Sequence, residues 1–193
     1  MTQPELFIIG GPNGSGKTTI ATQYLRSNRL AFLSADLIAA ELSPNDPAQA
    51  AVAAGRTLSH KLADALDRGE STVVESTLSG LTLRRTINRA SGLGYRTTIL
   101  FVYIASPEEC IARIKQRVAQ GGHFVRDDDV FRRFTRSINN FWNVYRDMVS
   151  EWILLYNGGP SPVHVASGGR SEVFAADKIR LTYFLRLIGR EDV

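Results

Sequence analysis

Residues 11–18 read Gly-Pro-Asn-Gly-Ser-Gly-Lys-Thr and match the phosphate-loop pattern G-x-x-x-x-G-K-[ST] at every fixed position. The apolar run 6–10 before this loop predicts a buried strand, and residues 19–25 after it predict a helix. A strand, a glycine-rich loop and a helix in this order form the setting in which the pattern cradles a nucleoside triphosphate. The sequence therefore predicts a nucleotide site directly after its first strand.

Each residue type in this loop has a physical reason. Glycines let backbone N–H groups curl around phosphate oxygens, and the following helix N-terminus adds a partial positive charge. Lys17 can reach the β- and γ-phosphates, and the Thr18 hydroxyl can ligate Mg²⁺. We therefore expect ATP and Mg²⁺ as cofactors, with Thr18 as the metal ligand. The residues expected to bind the nucleotide here are Gly11, Pro12, Asn13, Gly14, Ser15, Gly16, Lys17, Thr18 and Thr19.

Length and composition are those of an ordinary globular protein. The 193 residues suit one domain spanning 1–193, and 44% hydrophobic with 22% charged residues is typical of a soluble chain. No apolar run approaches the roughly 20 residues that a membrane span needs. The N-terminal residues lack the basic segment of a signal peptide, and the single cysteine, Cys110, excludes an internal disulfide. These features predict a cytoplasmic protein with no membrane partner.

The net charge of +4 bears on the kind of partner. The basic residues are scattered along the chain, with short pairs at 84–85 and 132–133. Such a diffuse balance fits a small anionic acceptor at least as well as a nucleic acid. Since zinc-finger spacing, an RNA-binding aromatic signature and a basic tail are all missing from the sequence, nucleic acid is the less favoured partner.

Strand-like and helix-like segments alternate along the chain. The segment 97–104 is a nearly continuous apolar run, which is typical of a strand covered on both faces. This alternation predicts an α/β fold with a doubly wound parallel sheet, of the phosphate-loop NTPase type and similar to nucleotide kinases, with a short arginine-bearing lid. Further strands are expected at 30–34, 71–75, 153–156 and 162–166, and helices from 46–47 to 69, at 81–90, from 106–107 to 118, at 131–148 and at 173–188.

Two acidic residues follow strands in this scheme. Asp36 comes after the second strand and Glu75 ends the third, so both should project toward the phosphate loop. Asp36 could accept the proton of an attacking hydroxyl, and Glu75 could orient the substrate or hold the metal. The alternatives are a helix N-cap for Asp36 and a surface charge at a strand end for Glu75.

Other polar residues complete the candidate site. Ser76 and Thr77 suit recognition of an acceptor hydroxyl or phosphate beside Glu75, although this segment could also cap a helix. Arg113, Arg117 and Arg126 flank the glycines at 121–122 and could neutralise the charge of a transferring phosphoryl group, or could lie on a solvated face. The loop that begins at Asn157 could contact the nucleotide, or be an ordinary turn.

Taken together, these stretches resemble the zeta toxin family of phosphate-loop kinases. The resemblance rests on the phosphate loop, Ser34-Ala35-Asp36, Val74-Glu75-Ser76-Thr77, Arg113 to Arg117, Gly122-His123-Phe124-Val125-Arg126 and Tyr156-Asn157. It implies ATP- and Mg²⁺-dependent phosphorylation of a hydroxyl on a nucleotide sugar, with UDP-N-acetylglucosamine as the acceptor. It further implies that Asp36 is the base, that Glu75 faces the acceptor, and that Arg117 and Arg126 stabilise the transferring group. Ser34 stands where the toxins tend to carry a further acid, and the chain is shorter than theirs.

Two classes of function therefore remain. In the first, the protein is a small-molecule kinase that carries a phosphoryl group to a hydroxyl of an anionic acceptor. In the second, it is an ATP-binding or ATP-hydrolysing switch, or a toxin-like module, that acts through a protein partner such as an antitoxin. The segment Leu78-Ser79-Gly80-Leu81 matches only the first part of the Leu-Ser-Gly-Gly-Gln signature of transporter ATPases.

Overall fold

A single sheet organises the part of the chain that the computed structural model describes, residues 3–27, 30–122, 124–170 and 172–190. Within those ranges the sheet has seven strands, in the spatial order β2-β3-β1-β4-β5-β6-β7. The strands are β1 (Glu5–Gly10), β2 (Ala31–Ser34), β3 (Thr72–Ser76), β4 (Arg96–Tyr103), β5 (Glu151–Tyr156), β6 (Val163–Gly168) and β7 (Phe174–Ala175).

The first five strands in this order are parallel, as the sequence predicts. Their carboxyl ends therefore meet at one edge of the sheet, where ligands of such folds bind. β6 and β7 are antiparallel, which the sequence analysis did not predict. The connection 157–162 between β5 and β6 is shorter than the dozen or so residues that a parallel crossover needs, so the chain can only turn back.

Helices cover both faces of the sheet, but unequally. In β1, Phe7 and Ile9 pack toward Ile20 and Ala21 of the first helix. Leu6 and Ile8 point to the opposite face, into a much larger core built with the other helices. This alternation within one buried strand is why β1 contains apolar residues at every position from 6 to 9.

Seven α-helices connect and flank the strands within the described residues. In those same ranges, no helix combines the length and apolar composition that a bilayer crossing requires. The helices are α1 (Lys17–Ser27), α2 (Ala35–Leu42), α3 (Ala51–Asp67), α4 (Leu83–Gly92), α5 (Pro107–Ala119), α6 (Asp127–Asn140) and α7 (Lys178–Leu187).

Several predicted helix boundaries are wrong. The segment 131–148 is not one helix, because α6 ends at Asn140 and continues as a π-helical turn, Phe141–Tyr145, and a 3₁₀ turn, Arg146–Met148. The wider π turn lets the consecutive residues Phe141 and Trp142 both pack in the core, 0% and 2% exposed. A regular apolar period alone could not reveal this change of helix type.

The predicted starts of two other helices are also wrong. Asp46 accepts a hydrogen bond from the backbone N–H of Gln49, at 3.4 Å, but this begins a turn, and α3 starts only at Ala51. Near the C-terminus, Phe174–Ala175 pairs with β6, and the last helix starts later, where the Asp177 side chain accepts the Arg180 backbone N–H at 3.0 Å. The start predicted for α5 is confirmed, since the Ser106 hydroxyl accepts the Glu109 backbone N–H at 3.2 Å.

Candidate active site

The phosphate loop joins β1 to α1, and its glycines are required by close neighbours. Gly14 has a φ of +81°, and a Cβ there would lie 2.5 Å from the carbonyl oxygen of Cys110. Gly16 has a φ of +96°, and its Cβ would lie 2.3 Å from the amide nitrogen of Asn157. Other residue types would be strained at both positions and would push these neighbours away. The loop is thus fitted against α5 on one side and the end of β5 on the other.

Lys17 is buried at the start of α1, with only 6% of its surface exposed. Its ammonium group donates a hydrogen bond to the Pro12 carbonyl oxygen, at 2.8 Å. Burial lowers the pKa of Lys17, while the nearby carboxylates of Glu75 and Asp36 oppose that shift. A buried ammonium with so few partners favours a polyanion that could approach it.

Glu75 lies beside Thr18, the residue that follows Lys17. The Thr18 hydroxyl is within hydrogen-bond distance of both Glu75 carboxylate oxygens, at 3.2 and 3.1 Å, and donates to them. Burial raises the pKa of Glu75, and the charge of Lys17 and the hydrogen bond from Thr18 act in the opposite direction. A hydroxyl and a carboxylate at this separation are the oxygen donors that Mg²⁺ prefers, so this pair fits a magnesium ion bound with a triphosphate.

A cavity of about 620 Å³ opens over the phosphate loop. Asp36, in the first turn of α2, reaches the same cavity as Glu75 on β3, because β2 and β3 are parallel neighbours ending at one edge. The helix N-cap is Ser34, so the alternative of Asp36 as that cap is wrong. The sequence-predicted residues that line this cavity are Asn13, Gly14, Gly16, Lys17, Thr18, Thr19, Asp36, Glu75, Arg113, Arg117 and Asn157.

Asn157 and Arg113 are linked to each other and to the phosphate loop in the wall of this cavity. The Asn157 side-chain amide donates to the Ser15 carbonyl at 2.8 Å, and Arg113 donates to the Asn157 carbonyl, also at 2.8 Å. Pro160, in the predicted loop that begins at Asn157, and Pro162, which sequence reasoning did not assign to the site, extend this wall. Apolar prolines beside an amide and a guanidinium give this wall the mixed character typical of small-molecule sites.

Two buried polar side-chain atoms inside the phosphate loop are unpaired among the described residues. The Ser15 hydroxyl and the Asn13 side-chain oxygen are buried and make no hydrogen bond with the described residues. Buried polar groups are nearly always paired in a folded protein, so unpaired ones in a phosphate loop indicate a ligand-binding conformation. Gly11 and Pro12 complete the loop behind these atoms, and the Pro12 carbonyl is the group that holds Lys17.

Three sequence-predicted residues lie elsewhere. The Ser76 hydroxyl accepts the Leu78 backbone N–H at 3.1 Å, and the Thr77 and Ser79 hydroxyls bond each other at 2.9 Å, so these side chains shape the loop after β3. Arg126 does not line the cavity over the phosphate loop but a smaller one next to it, which also contains Asp36. His123, part of the family-like segment, lies outside the described residues.

The loop after β3 is held by donors that sequence reasoning missed. From α6 and the π turn, Ser137 donates to the Thr77 carbonyl, Asn140 to the Leu78 carbonyl at 2.9 Å, and Tyr145 to the Gly80 carbonyl at 2.6 Å. We call this loop, residues 77–80, the β3–α4 loop. Its three ties fix the chain that follows Glu75, although they are contributed from about 60 residues further along the sequence.

This fold and loop define the class of the protein: a P-loop protein with a nucleotide-kinase-like, mostly parallel α/β sheet. A family model described as an AAA domain, AAA_33, matches residues 6–140, from β1 through α6. The chain belongs to that family. It is also similar to an uncharacterized protein of Haemophilus influenzae, with 32% identity over 124 residues, covering 64% of this chain and 88% of the relative.

Solved structures with the same fold include a kinase, a toxin–antitoxin system and another two-protein complex. The complex of AvrRxo1-ORF1 and ORF2 with ATP matches with a TM-score of 0.75 and 18% identity, over 99% of this chain and 65% of that chain. The PezAT chromosomal toxin–antitoxin system of Streptococcus pneumoniae matches with a TM-score of 0.66 and 15% identity, over 96% and 80%. A gluconokinase from Sinorhizobium meliloti matches with a TM-score of 0.51 and 15% identity, over 83% and 86%. At these identities the likeness establishes the fold alone.

Proposed function

We propose that the protein is an ATP-dependent kinase that transfers the γ-phosphate to a hydroxyl group of a small anionic acceptor. One observation carries the proposal: Asp36 and Glu75 line the same cavity as Lys17 and Thr18 of the phosphate loop. A loop that only held a nucleotide would need no second acid facing the phosphates. A phosphotransferase needs one acid for the acceptor proton and one near the metal.

Asp36 is the proposed general base. Within the described residues its carboxylate has no hydrogen bond or ion pair, so it is available to accept the proton of an acceptor hydroxyl. The acceptor oxygen then attacks the γ-phosphorus, the bond to the β,γ-bridging oxygen breaks, and ADP leaves. Lys17 and Arg117, both at the cavity, would offset the negative charge on the transferring group.

Thr18 and Glu75 are the proposed metal-binding pair. A magnesium ion bound with the triphosphate would supply charge neutralisation between the β- and γ-phosphates. The Thr18 hydroxyl and the Glu75 carboxylate already hold each other in position for this role. Arg113 and Asn157, joined to each other, would hold the nucleoside end of ATP against the proline wall.

A screen for acceptor-dependent ADP release tests the proposal. The panel contains nucleotide sugars, including the UDP-N-acetylglucosamine that the zeta toxin resemblance implies, together with phosphorylated metabolites and hydroxy acids. Wild-type protein should release ADP with at least one acceptor, and Lys17→Ala should not. Asp36→Asn should still bind ATP but lose transfer by roughly 100-fold or more, as expected for a general base. Unchanged transfer in Asp36→Asn would remove this residue from the mechanism.

A second candidate function, a toxin-like module paired with an antitoxin, is favoured by one of the fold neighbours, the PezAT toxin–antitoxin system. The AvrRxo1-ORF1 neighbour is likewise found in a complex with a second protein, ORF2. If this protein acts in that way, inducing it in a bacterial host should arrest growth, and Lys17→Ala should abolish the arrest. Equal growth with wild type and Lys17→Ala would argue against this candidate and leave the kinase proposal standing.

A further inference from the structure

A second, smaller cavity adjoins the proposed active site and shares one residue with it. This cavity measures about 240 Å³ and lies between α2, α3 and the start of α6. Asp36 lines both cavities and therefore lies at their boundary. We call the smaller one the α2–α6 cleft. The residues that line it are Ala35, Asp36, Ala39, Pro47, Ala48, Ala51, Phe124, Val125, Arg126, Asp129 and Arg133.

We propose that the α2–α6 cleft binds the phosphate acceptor, and that this acceptor is a compact anionic alcohol with one apolar face. This inference rests on the proposed kinase function. The acceptor hydroxyl would meet Asp36, and its carboxylate or phosphate would meet Arg133 and Arg126. The position of Asp36 is the first argument. A general base must touch the acceptor hydroxyl, so the acceptor has to occupy a cavity that Asp36 lines. Because the larger of the two cavities contains the phosphate loop and would hold ATP, the smaller one is left for the acceptor.

The charges in the cleft support an anionic occupant. Arg133 is half-buried and makes no hydrogen bond or ion pair with any residue that the structure describes. Arg126 has only a loose contact with Asp128, at 3.9 Å, and its side chain is 75% exposed. The remaining acid, Asp129, is paired with Arg132. Two arginines therefore line the cleft without a strong partner among the described residues, and guanidinium groups bind carboxylate or phosphate well.

The size and polarity of the cleft further narrow the class of acceptor. The cleft is less than half the volume of the nucleotide cavity and smaller than the roughly 300–1,000 Å³ of sites for drug-sized ligands. One wall consists of alanines and Pro47, and Phe124 is 58% exposed at its edge. These side chains offer no hydrogen bonds to a nucleobase or a ring of hydroxyls. The cleft therefore fits a short carbon skeleton better than a nucleotide sugar.

The test compares matched acceptors under the same conditions. D-Pantoate, D-glycerate and glycerol 3-phosphate are compact anionic alcohols, with carboxylate or phosphate as the charge. Pantolactone and glycerol are neutral counterparts, and UDP-N-acetylglucosamine is the large anionic comparison. Acceptor-dependent ADP release gives KM and kcat, and direct binding is followed by NMR in the presence of a non-hydrolysable ATP analogue. We expect at least one compact anion to bind and react, and its neutral counterpart to be at least tenfold poorer.

Variants in the cleft separate it from the nucleotide cavity. Arg133→Ala should raise the acceptor KM by roughly 10- to 100-fold, the usual effect of losing a hydrogen bond to a charged group. Arg133→Lys should recover part of that loss, and Ala48→Leu, which narrows the cleft, should also raise the acceptor KM. The KM for ATP should stay unchanged in all three. Arg136→Ala removes an exposed arginine from the same helix, outside the cleft, and serves as the matched control.

Each outcome decides between the two proposals. Transfer that depends on Lys17 but is unaffected by Arg133→Ala and Ala48→Leu would overturn the cleft assignment and leave the kinase function intact. A preference for UDP-N-acetylglucosamine over every compact anion would overturn the proposed substrate class. Binding of a compact anion that Arg133→Ala weakens, without any transfer, would support the cleft and contradict the kinase. Neither binding nor transfer with any anion would overturn both.

Discussion

At the scale of single residues, the protonation of Glu75 should make nucleotide binding and protein stability depend on pH. Burial raises the pKa of this carboxyl above its ordinary value of 4.5. The ionised form, which a metal–nucleotide complex requires, is therefore lost on acidification at a higher pH than for an exposed glutamate. We predict that affinity for Mg·ATP, measured by calorimetry, falls as the pH decreases through this raised pKa.

The raised pKa of Glu75 has the opposite effect on the stability of the ligand-free protein: its contribution to stability rises, rather than falls, on acidification. A folded state with a raised carboxyl pKa holds its proton more tightly than the unfolded chain, so this stabilising contribution is present at low pH and lost as the pH rises through the raised value. Glu75→Gln should flatten both pH profiles, and Glu41→Gln, on the exposed end of α2 and outside the cavity, is the matched control. Identical profiles for wild type and Glu75→Gln would contradict the raised pKa of this carboxyl.

Gly16 provides a steric prediction at the same scale. Because its φ is +96° and an added Cβ would lie 2.3 Å from the Asn157 amide, Gly16→Ala should displace Asn157 and distort the loop. We expect ATP affinity to fall by at least tenfold, or about 1.4 kcal/mol. Gly55→Ala is the matched control, since this glycine lies in α3 with open space around it and the change should stabilise the helix by roughly 0.5–1 kcal/mol. Normal ATP binding by Gly16→Ala would show that Asn157 yields freely.

At the scale of elements, the π turn after α6 shows why burial along this helix was predictable from the sequence and the end of the helix was not. The pattern of Phe134, Ile138 and Phe141 has the helical period, and all three are buried as that pattern predicts. The period does not distinguish an α-helix from one that widens by a residue, so the end of α6 was not predictable from it. The antiparallel β6 was predictable in principle, because the short connection before it excludes a crossover.

The ties between α6, the π turn and the β3–α4 loop yield a prediction about elements. Asn140→Ala and Tyr145→Phe each remove a donor to a loop carbonyl, and each should cost about 1–2 kcal/mol of unfolding free energy, measured with urea. The double variant should also raise the KM for ATP, because the chain following Glu75 would loosen. Asn139→Ala is the comparison, since among the residues that the structure describes its side chain bonds within its own helix region, to Thr135 at 2.9 Å and to Asn143 at 3.5 Å.

A double variant with wild-type stability would show that these ties do not hold the loop. Lower stability with an unchanged KM for ATP would show that they support the fold without positioning Glu75. The urea and kinetic measurements together therefore separate a structural role from a positioning one.

At the scale of the whole molecule, the parallel sheet explains why two acids far apart in sequence could be assigned to one site. Asp36, just after β2, and Glu75, near the end of β3, lie at the carboxyl ends of neighbouring parallel strands, and that topology brings both residues to the cavity predicted from the phosphate loop. The distribution of Ser76, Thr77 and Arg126 was not predictable in the same way. Their positions depend on how the β3–α4 loop turns and on where α6 begins, which are set by contacts distant in sequence.

The most direct test of the central claim is a phosphorus-31 NMR spectrum of the protein with ATP, Mg²⁺ and an acceptor from the panel. If Asp36 delivers a hydroxyl to the γ-phosphate, the spectrum should show a new phosphomonoester in equal amount to ADP, and Asp36→Asn should show neither. ADP accompanied by an equal amount of inorganic phosphate, with no phosphomonoester for any acceptor, would contradict the account and identify an ATPase.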